Sequence, residues 1–300
     1  MRALITGIEG FTGRYVAAEL ERAGYEVYGT CAGTSVAALP HILPADLLDA
    51  PALEAALASI RPDVVVHLAA IAFVGHGDAN AFYQTNLMGT RNLLVALVKT
   101  TSQYNYRLKS VLLVSSANVY GNAKAGLLDE NTPPNPANDY AVSKLAMEYM
   151  ASLWRTQLPI VIVRPFNYTG VGQSPDFLLP KIVAHFQRRA PKIELGNLEV
   201  SRDFSDVRAV AKAYRRLLEV GGVASGQIVN ICSGRTLSLS QIIGMVERIA
   251  GYRIEVEVNP AFVRADEVHT LGGNPQRLRT LIGDWQSAPL EKTLEWMLGA

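Results

Sequence analysis

The chain has few of the residues that mark secreted, membrane or nucleic-acid-binding proteins. Its 300 residues include only Cys31 and Cys232, too few for a disulfide framework, which favours a reducing compartment. Lysine and arginine number 28 against 27 aspartates and glutamates, so no basic nucleic-acid-binding surface is indicated. No apolar run reaches the ~18 residues that span a bilayer, and a predicted strand begins at Ala3, so no signal peptide is expected. We expect a soluble, cytoplasmic protein with no membrane or nucleic-acid partner.

The sequence also lacks a cluster of metal ligands. His41, His76, His185 and His269 are scattered along the chain, whereas a metal site needs three or four converging ligands. His67 lies on a predicted central strand and is interpreted as a core histidine. No metal site is predicted.

Short β-branched apolar runs alternate with longer segments of helical period along the first half of the chain. The predicted strands cover residues 3–6, 26–30, 63–68, 110–115 and 160–164, and the first crossover helix covers 13–23. This alternation is typical of a parallel sheet with crossover helices. The sequence therefore predicts an α/β fold, a Rossmann-type doubly wound parallel sheet.

The alternation becomes irregular beyond Arg164, where prolines and glycines mark loops. We expect a dinucleotide-binding domain over residues 1–166 and a smaller, mostly helical substrate-binding domain over 167–300. A predicted helix at 208–219 and a predicted strand at 227–231 make the segment 203–232 a candidate return to the first domain. Further helices are predicted at 238–250 and 289–297.

Two long predicted helices, 81–100 and 139–156, carry apolar residues around much of their circumference. One sheet face needs only a single apolar stripe from each helix. The excess favours a homodimer that packs through these two helices, and the alternative is burial beneath the second domain.

A glycine-rich segment follows the first predicted strand and opens the first helix. Glycines at positions 7, 10 and 13 let the backbone approach a pyrophosphate, whose charge is met by the helix N-terminus. The spacing is GxxGxxG rather than GxGxxG, so by itself it also fits a tight turn in another α/β protein. The expected cofactor contacts of this segment are Gly7, Gly10, Phe11, Thr12 and Gly13.

The end of the second predicted strand, residues 28–35, contains no carboxylate and no arginine. A carboxylate there selects NAD through the ribose hydroxyls, and an arginine accommodates a 2′-phosphate. Loose selectivity is therefore predicted, with NADPH or NADH accepted. Asp46 and Leu47 are candidates for the adenine edge, although Asp46 fits a surface aspartate nearly as well.

Tyr140 and Lys144 stand four residues apart on a predicted helix and share one face of it. A free tyrosine has a pKa near 10 and transfers protons poorly at neutral pH. An ammonium about 4 Å away contributes on the order of 4 kcal/mol at an effective dielectric of 20. We therefore expect Lys144 to lower the pKa of Tyr140 by roughly three units.

Four motifs together resemble the extended short-chain dehydrogenase/reductase family: TGxxGFxG at 6–13, HLAA at 67–70, SSANVYG at 115–121 and YAVSK at 140–144. The similarity covers the whole chain and implies that Ser116 hydrogen-bonds the substrate oxygen, Tyr140 passes the proton, and Lys144 holds the nicotinamide ribose and activates Tyr140. Asn86 matches an asparagine close to this relay. The other cofactor contacts implied are Leu68, Ala69, Ala70 and Ser115.

Segments of the second domain resemble the GDP-mannose-handling branch of that family: RPFNYTG at 164–170, LGNL at 195–198 leading to RDF at 202–204, and VRADEV at 263–268. The resemblance implies that Asn167, Arg202 and Arg264 contact the nucleotide diphosphate and that Glu267 contacts a ribose. Guanidinium groups suit phosphate oxygens, although each arginine also fits a solvated surface position. Asn118 is a further candidate substrate contact.

Two missing acids decide between reactions of this branch. Ala117 and Asn118 stand where the 4,6-dehydratases carry acidic residues, and neither side chain is a general acid or base. The resemblance therefore implies NAD(P)H-dependent reduction of the C4 ketone of GDP-4-keto-6-deoxy-D-mannose to GDP-D-rhamnose. A nucleotide-sugar 4-epimerase is the alternative, a GDP-mannose 4,6-dehydratase is less favoured, and the complete Ser, Tyr and Lys set argues against an inactive sensor. Phe73 either lines the sugar pocket or packs in the core.

Overall fold

The computed structural model describes residues 1–32, 41–73, 77–123, 126–263 and 269–300. The strands in these ranges are β1 (Arg2–Thr6), β2 (Glu26–Cys31), β3 (Ile42–Pro44), β4 (Val64–His67), β5 (Ser110–Val114), β6 (Ile160–Pro165), β7 (Asn167–Thr169), β8 (Lys192–Leu195), β9 (Ser201–Asp206), β10 (Ile228–Ile231), β11 (Thr236–Ser238), β12 (Glu255–Val258) and β13 (Thr270–Leu271). The helices are α1 (Phe11–Arg22), α2 (Ala50–Ile60), α3 (Ala79–Phe82), α4 (Thr90–Tyr104), α5 (Asp139–Ser152), α6 (Leu178–Gln187), α7 (Val207–Val220), α8 (Leu239–Ala250), α9 (Gln276–Ile282) and α10 (Leu290–Leu298).

A parallel sheet of seven strands organises the described chain, in the order β10-β6-β5-β4-β1-β2-β3. Its central strands are buried on both faces, which explains why β4 and β5 read as continuous apolar runs rather than as alternating ones. Side chains of β1 divide between two cores: Ala3 and Ile5 pack with α1 and α7, and Leu4 packs with α2, α4 and α5. The predicted doubly wound α/β fold is therefore confirmed.

The strand order reverses at β1, which has β2 on one side and β4 on the other. In open parallel sheets, the crevice at the carboxyl ends of the strands at such a reversal is where ligands bind. The carboxyl end of β1 leads directly into the glycine-rich segment, so the fold brings this segment to the crevice.

The two long predicted helices differ from expectation at their ends. The helical segment predicted over 81–100 runs from Ala79 to Tyr104, as α3, a π-helical stretch Tyr83–Gly89 and α4. The second, predicted over 139–156, ends as α5 at Ser152 and continues as turns. The π-helical stretch was not predicted, because a hydrophobic period cannot distinguish one wide turn within a helix.

The second half of the chain contains two small sheets that the sequence pattern did not predict. One contains β7, β9, β11 and β13, the other pairs β8 with β12, and α6, α8 and α10 pack around a separate core beside them. These strands have two to six residues and mixed burial, too little for a period of two to be recognised.

The segment predicted to return to the first domain contains α7 and β10. Helix α7 packs against α1, and β10 pairs with β6 at the edge of the large sheet. A division of the chain near residue 166, with this return, remains our proposal for the domain boundary. No helix in the described ranges is long and apolar enough to cross a membrane.

Candidate active site

The glycine-rich segment forms a tight turn between β1 and α1. Gly7 has a φ of +70°, and a Cβ at this position would lie 2.9 Å from the backbone of Ala69. At Gly13, a Cβ would lie 2.4 Å from the carbonyl oxygen of Ile8. The N-cap residue of α1 is Gly10, and no side chain caps the helix. The first N–H groups of α1 are therefore left for a ligand, as an anion site at a helix N-terminus requires.

A cavity of about 560 Å³ lies over the carboxyl ends of the strands. It begins at the glycine-rich segment and extends past the ends of β4 and β5 to β6, β7 and α6. Among the predicted site residues, the lining includes Gly7, Gly10, Phe11, Thr12, Gly13, Leu68, Ala70, Ser115, Ser116, Asn118, Tyr140, Lys144, Asn167 and Arg202. The described lining contains the cations Lys144 and Arg202 and no carboxylate, so it suits an anionic ligand.

Ser116 and Tyr140 meet at the end of β5. Ser116 caps a 3-10 turn over Ala117–Tyr120, and its hydroxyl oxygen accepts a hydrogen bond of 3.1 Å from the N–H of Asn118. The α5 helix begins with Asn138 as N-cap and Tyr140 in its first turn. Burial raises the pKa of Tyr140 to about 12, and a hydrogen bond with Ser116 acts in the opposite direction. The phenol is therefore protonated at neutral pH.

The expected lowering of the Tyr140 pKa by Lys144 is wrong for the chain as described. The ammonium of Lys144 donates a hydrogen bond of 2.9 Å to the carbonyl of Val114, and desolvation of the phenol exceeds any attraction from this charge. Burial also lowers the pKa of Lys144 itself to about 8, while the charge of Glu148 acts in the opposite direction. The estimate from helix spacing omitted desolvation, which is the larger effect for two buried groups.

His67 is a core histidine with both ring nitrogens bonded. Its Nδ1 lies 2.7 Å from the hydroxyl of Thr6, and its Nε2 lies 2.9 Å from the hydroxyl of Thr90. The Thr90 hydroxyl donates to the carbonyl of Asn86, so it accepts from Nε2, which carries the proton. Burial, followed by the charge of Lys144, lowers the pKa of His67 to about 3. The ring is neutral and contributes no charge beside Lys144.

Asn86 lies behind the cavity, within the π-helical stretch. Its amide donates to the carbonyl of Ile71 at 3.1 Å and to the hydroxyl of Ser143 at 3.1 Å, while its side-chain oxygen accepts from the N–H of Ile71. Asn86 therefore fixes the segment after β4 against the first turns of α5, which carry Tyr140 and Lys144.

Comparison with known proteins assigns the chain to a family. A model of the NAD dependent epimerase/dehydratase family matches residues 3–232. The chain belongs to this family. It is 34% identical to a GDP-6-deoxy-D-talose 4-dehydrogenase of Aggregatibacter actinomycetemcomitans over 99% of this chain and 97% of that protein. It is also 34% identical to a GDP-6-deoxy-D-mannose reductase of Pseudomonas aeruginosa, over 97% of this chain and 99% of that one.

Two solved structures have the same fold throughout. A candidate epimerase of Burkholderia cenocepacia J2315 has a TM-score of 0.92 and 54% identity, covering 99% of this chain and 97% of that one. RMD of Pseudomonas aeruginosa, complexed with NADPH, has a TM-score of 0.85 and 31% identity, with the same coverage of both chains. The resemblance to extended short-chain dehydrogenases/reductases and the prediction of an NAD(P)-dependent enzyme are confirmed.

Several predicted site residues of this epimerase/dehydratase family member lie outside the cavity lining. Asp46 accepts a hydrogen bond from the N–H of Leu48 within a turn, and Leu47 is buried against Gly89. Ala69 lies just behind Gly7. Arg264 and Glu267 fall outside the described residues, as do the last three positions of the stretch 28–35 and His76.

Three features of the site were not predicted. Tyr168 lines the cavity, and its hydroxyl lies 2.8 Å from that of Thr12, so the second half of the chain bonds directly to the glycine-rich segment. Phe177 also lines the cavity and packs edge-on against Phe73 at 6.0 Å, which places Phe73 at its margin. A buried ion pair behind Ser115 joins Glu148 to Arg164. An arginine within the apolar run of β6 is the sequence signal that indicates this pair.

The neutral state of His67 predicts a pH dependence of stability. Its folded pKa of about 3 lies below the ordinary 6.5, so its contribution is complete above pH 6.5 and is lost as the pH falls toward 3. Between pH 6.5 and 5 the loss should be about 2 kcal/mol in the free energy of unfolding. We expect denaturant unfolding of His67→Gln to depend less on pH by about this amount, while the exposed-site control His41→Gln keeps the dependence of the original chain. An equal pH dependence in all three proteins would contradict the neutral assignment.

Proposed function

We propose that this chain uses NAD(P)H to reduce the C4 ketone of GDP-4-keto-6-deoxy-D-mannose to GDP-D-rhamnose. One observation carries the proposal: a single cavity contains the glycine-rich segment, the set Ser116, Tyr140 and Lys144, and Arg202. The sheet order supports the proposal, because β1 leads into the glycine-rich segment, β5 leads into Ser116, and β6 leads into the second half of the chain.

The residues at the β1 end fit a dinucleotide. The uncapped N-terminus of α1 offers N–H groups to a pyrophosphate. Gly7 has no side chain that could cover the backbone, and a Cβ at this position would collide with Ala69. When bound there, the reduced nicotinamide supplies a hydride. The prediction that both NADH and NADPH are accepted stands on the lack of charged side chains over residues 28–32 of the second strand and its end.

Tyr140 is the proton donor in this proposal. With a pKa raised to about 12, the phenol retains its proton at neutral pH until a stronger base forms beside it. The alkoxide produced at C4 is such a base. The Ser116 oxygen already accepts the N–H of Asn118, so its own proton is directed outward, toward a substrate carbonyl or the phenol. Ser116 thus orients the carbonyl, and Tyr140 delivers the proton.

Lys144 offsets the negative charge that Tyr140 gains when it gives up the proton. Its position one turn further along α5 and its bond to the Val114 carbonyl hold the ammonium at the cavity wall. Lys144 therefore has two roles in this proposal: it holds the nicotinamide ribose, and it stabilises the tyrosinate that proton transfer leaves at Tyr140. The raised pKa of the resting phenol is consistent with such a role, because a proton donor should be protonated before the reaction.

The second half of the chain supplies the substrate end of the cavity. Asn167 follows β6 directly, and Arg202 on β9 lines the cavity with its guanidinium held by the carbonyls of Ser201 and His269. A planar guanidinium suits a diphosphate. The contacts of Arg264 and Glu267 remain proposals from the family resemblance.

The proton chemistry of a 4,6-dehydratase is not supported at this site. Ala117 and Asn118 occupy the 3-10 turn after Ser116, and the described cavity lining has no carboxylate. Removal of a proton at C5 and loss of the C6 hydroxyl need general acid and base groups that neither residue provides. Reduction needs only one proton, which Tyr140 provides.

A second candidate differs only in the configuration of the product at C4. The relative from Aggregatibacter actinomycetemcomitans is a GDP-6-deoxy-D-talose 4-dehydrogenase, and 6-deoxytalose is the C4 epimer of rhamnose. Reduction of the same ketone from the opposite face would yield GDP-6-deoxy-D-talose. The residues derived above serve either face equally, so the product is the deciding measurement.

We also propose a homodimer formed by the helices over 79–104 and 139–152. Val142 and Tyr149 on α5 and Leu153, which caps the end of this helix, follow one another at spacings of seven and four residues, and all three are exposed. Leu153 is 75% exposed and Tyr149 66%, and their spacing places them with Val142 in one exposed apolar stripe rather than as isolated groups. Met88 adds an exposed apolar group on the neighbouring helical segment.

The substrate and product test the proposed reduction. We expect NADPH consumption with GDP-4-keto-6-deoxymannose, and little with the dTDP and UDP counterparts. The product should have the manno configuration at C4 by NMR; the talo configuration would support the second candidate. Activity with NADH should lie within a hundredfold in kcat/KM. Stoichiometric retained NAD with interconversion of hexose epimers, and no net reduction, would instead indicate a 4-epimerase.

Removal of the Tyr140 hydroxyl tests the proton donor. Tyr140→Phe should lower kcat by ~10²–10⁴, because the alkoxide loses its positioned acid, while the affinity for NADPH stays nearly unchanged. Stopped-flow or steady-state rates with nicotinamide fluorescence titrations measure both quantities. Tyr149→Phe is the matched control, since it removes the same atom from an exposed tyrosine on the same helix. Full turnover in Tyr140→Phe would exclude Tyr140 as the donor.

Charge at the exposed apolar stripe tests the dimer. The original chain should sediment as a dimer at micromolar concentration, and Tyr149→Asp with Leu153→Asp should sediment as a monomer because two desolvated carboxylates oppose the contact. Val223→Asp, at a position 70% exposed in the 3-10 turn that follows α7, should remain dimeric. A monomeric original chain would show that the stripe does not mediate self-association.

A further inference from the structure

A buried network of polar side chains lies directly behind the candidate active site. Glu148 accepts hydrogen bonds from Arg164 Nε at 2.9 Å and Nη2 at 2.6 Å, and a third of 2.5 Å from the hydroxyl of Ser115. Both charged side chains are 4% exposed. The carboxylate is therefore held by three donors in a fixed position beneath the end of β5.

The remaining Arg164 donor extends the network away from the cavity. Arg164 Nη1 donates to the hydroxyl of Tyr120 at 3.0 Å, and this hydroxyl donates to Asn230 on β10 at 2.8 Å. The guanidinium also lies 4.9 Å from the centre of the Tyr120 ring. Arg164 is thus fixed on both sides, and it in turn fixes the orientation of Glu148.

Such a pair is costly to bury, and apolar residues of similar volume often give equal or greater stability. Stability alone is therefore a poor reason for a bidentate ion pair in the middle of an apolar sheet. The position of the pair suggests another role, because Glu148 lies one helical turn from Lys144 on α5 and binds the residue next to Ser116.

Lys144 needs a counter-charge in this environment. The titratable groups near it are Tyr140, which lines the same cavity, Glu148 one turn further along α5, and His67 on β4. Arg164 on β6 is paired with Glu148. The Tyr140 phenol and the His67 ring are neutral at pH 7, so Glu148 is the anion among these described groups. Burial lowers the pKa of Lys144 to about 8, and the charge of Glu148 opposes that effect.

We propose that Glu148 is a positioning residue of the active site, oriented by Arg164, whose carboxylate keeps the Lys144 ammonium charged and fixes Ser115 through its hydroxyl. It acts on the reaction only through Lys144 and the end of β5, and it does not reach the cavity itself. This role rests on the proposed function, in which Lys144 holds the nicotinamide ribose in its protonated form. Loss of the carboxylate charge should therefore bring the deprotonation of Lys144 to a lower pH.

Two substitutions of Glu148 separate charge from packing. Glu148→Gln retains the size and a hydrogen-bond acceptor but removes the charge, whereas Glu148→Asp retains the charge with a shorter reach. We expect the alkaline limb of NADPH binding, measured by nicotinamide fluorescence between pH 6 and 10, to move about one pH unit lower in Glu148→Gln. At the pH of the original midpoint and above, affinity should fall by up to about tenfold. In Glu148→Asp, the alkaline limb of NADPH binding should stay near that of the original chain.

The single Gln variant leaves the buried Arg164 without a charged partner and could fail to fold. The double variant Glu148→Gln with Arg164→Gln removes both charges and keeps two amides that can bond to each other. Its alkaline limb should lie below that of the original chain but less far below it than in Glu148→Gln, because loss of the guanidinium charge partly offsets loss of the carboxylate charge. Val246→Ala is the control, because it removes buried volume from α8 in a separate core and should lower the unfolding midpoint without moving the limb. If the pair had a purely structural role, NADPH affinity would fall at the same alkaline pH in all destabilised variants as in the original chain.

The measurement distinguishes this inference from the proposed reduction. NADPH binding requires no sugar, so a lowered limb in the Gln variants supports the role of Glu148 even when GDP-4-keto-6-deoxymannose is not reduced. If the original chain reduces that sugar while the limb is unchanged in both Gln variants, the proposed function stands and the role of Glu148 is excluded. The limb in kcat/KM for an active protein should follow the limb in binding.

Discussion

The removal of Tyr140 and Lys144 from water is the constraint on which the rest of the site depends. Burial opposes a charge on either group, so it raises the pKa of the phenol and lowers that of the ammonium. The two effects move the pKa values apart, from ordinary values of 10.0 and 10.5 to about 12 for Tyr140 and about 8 for Lys144. A proton donor and a stabilising cation can then coexist at neutral pH, provided that the cation has a counter-charge nearby. The buried Glu148 supplies that charge, and the neutral His67 adds no competing one.

The fold satisfies this constraint through the sheet. Strand β5 delivers Ser116 at its carboxyl end, and the first turns of α5 deliver the phenol and the ammonium to the same place. Asn86 fixes α5 from the side of β4 through Ser143. Glu148 fixes the strand end through Ser115. The side chains to which we assign the reaction are thus held by hydrogen bonds from several elements, and such support lets a site keep its geometry without reorganising.

The parts of this structure that the sequence could predict are those with a strong local signal. The central strands of the large sheet were predictable because β-branched residues run without interruption where both faces are buried, whereas the short edge strand β3 was not predicted. The glycine turn was predictable because only glycine fits against Ala69 at a φ of +70°. The family could be predicted from the motifs that contain Ser116 and Tyr140, because each motif is a short, uninterrupted stretch of sequence. The short strands of the second half, by contrast, carry too few residues for a period to emerge.

Errors in the site prediction had two causes. Some contacts join residues that are distant in sequence, and the pKa of Tyr140 depends on the loss of surrounding water as well as on neighbouring residues. The pKa of Tyr140 was mispredicted because helix spacing gives the distance to a charge but not the loss of water around both groups. The bond between Tyr168 and Thr12 joins residues 156 positions apart, and no local pattern indicates it. The Glu148–Arg164 pair has one signal in the sequence, an arginine inside an apolar strand. A buried arginine requires a partner, but the sequence does not indicate where in the chain that partner lies.

The contacts of α1 with the second half of the chain bear on the proposal that one cavity holds both a cofactor and a substrate. The Thr12 hydroxyl meets that of Tyr168, the Tyr15 hydroxyl donates to the carbonyl of Val171 at 2.7 Å, and Arg14 donates to the carbonyl of Gly172 at 3.2 Å. All three bonds begin in the first turns of the helix that follows the glycine-rich segment. The loop that would hold a pyrophosphate and the segment that leads into the substrate end are therefore braced against each other. The proposed hydride transfer tolerates little misplacement between cofactor and substrate, and these bonds hold the two ends of the cavity together.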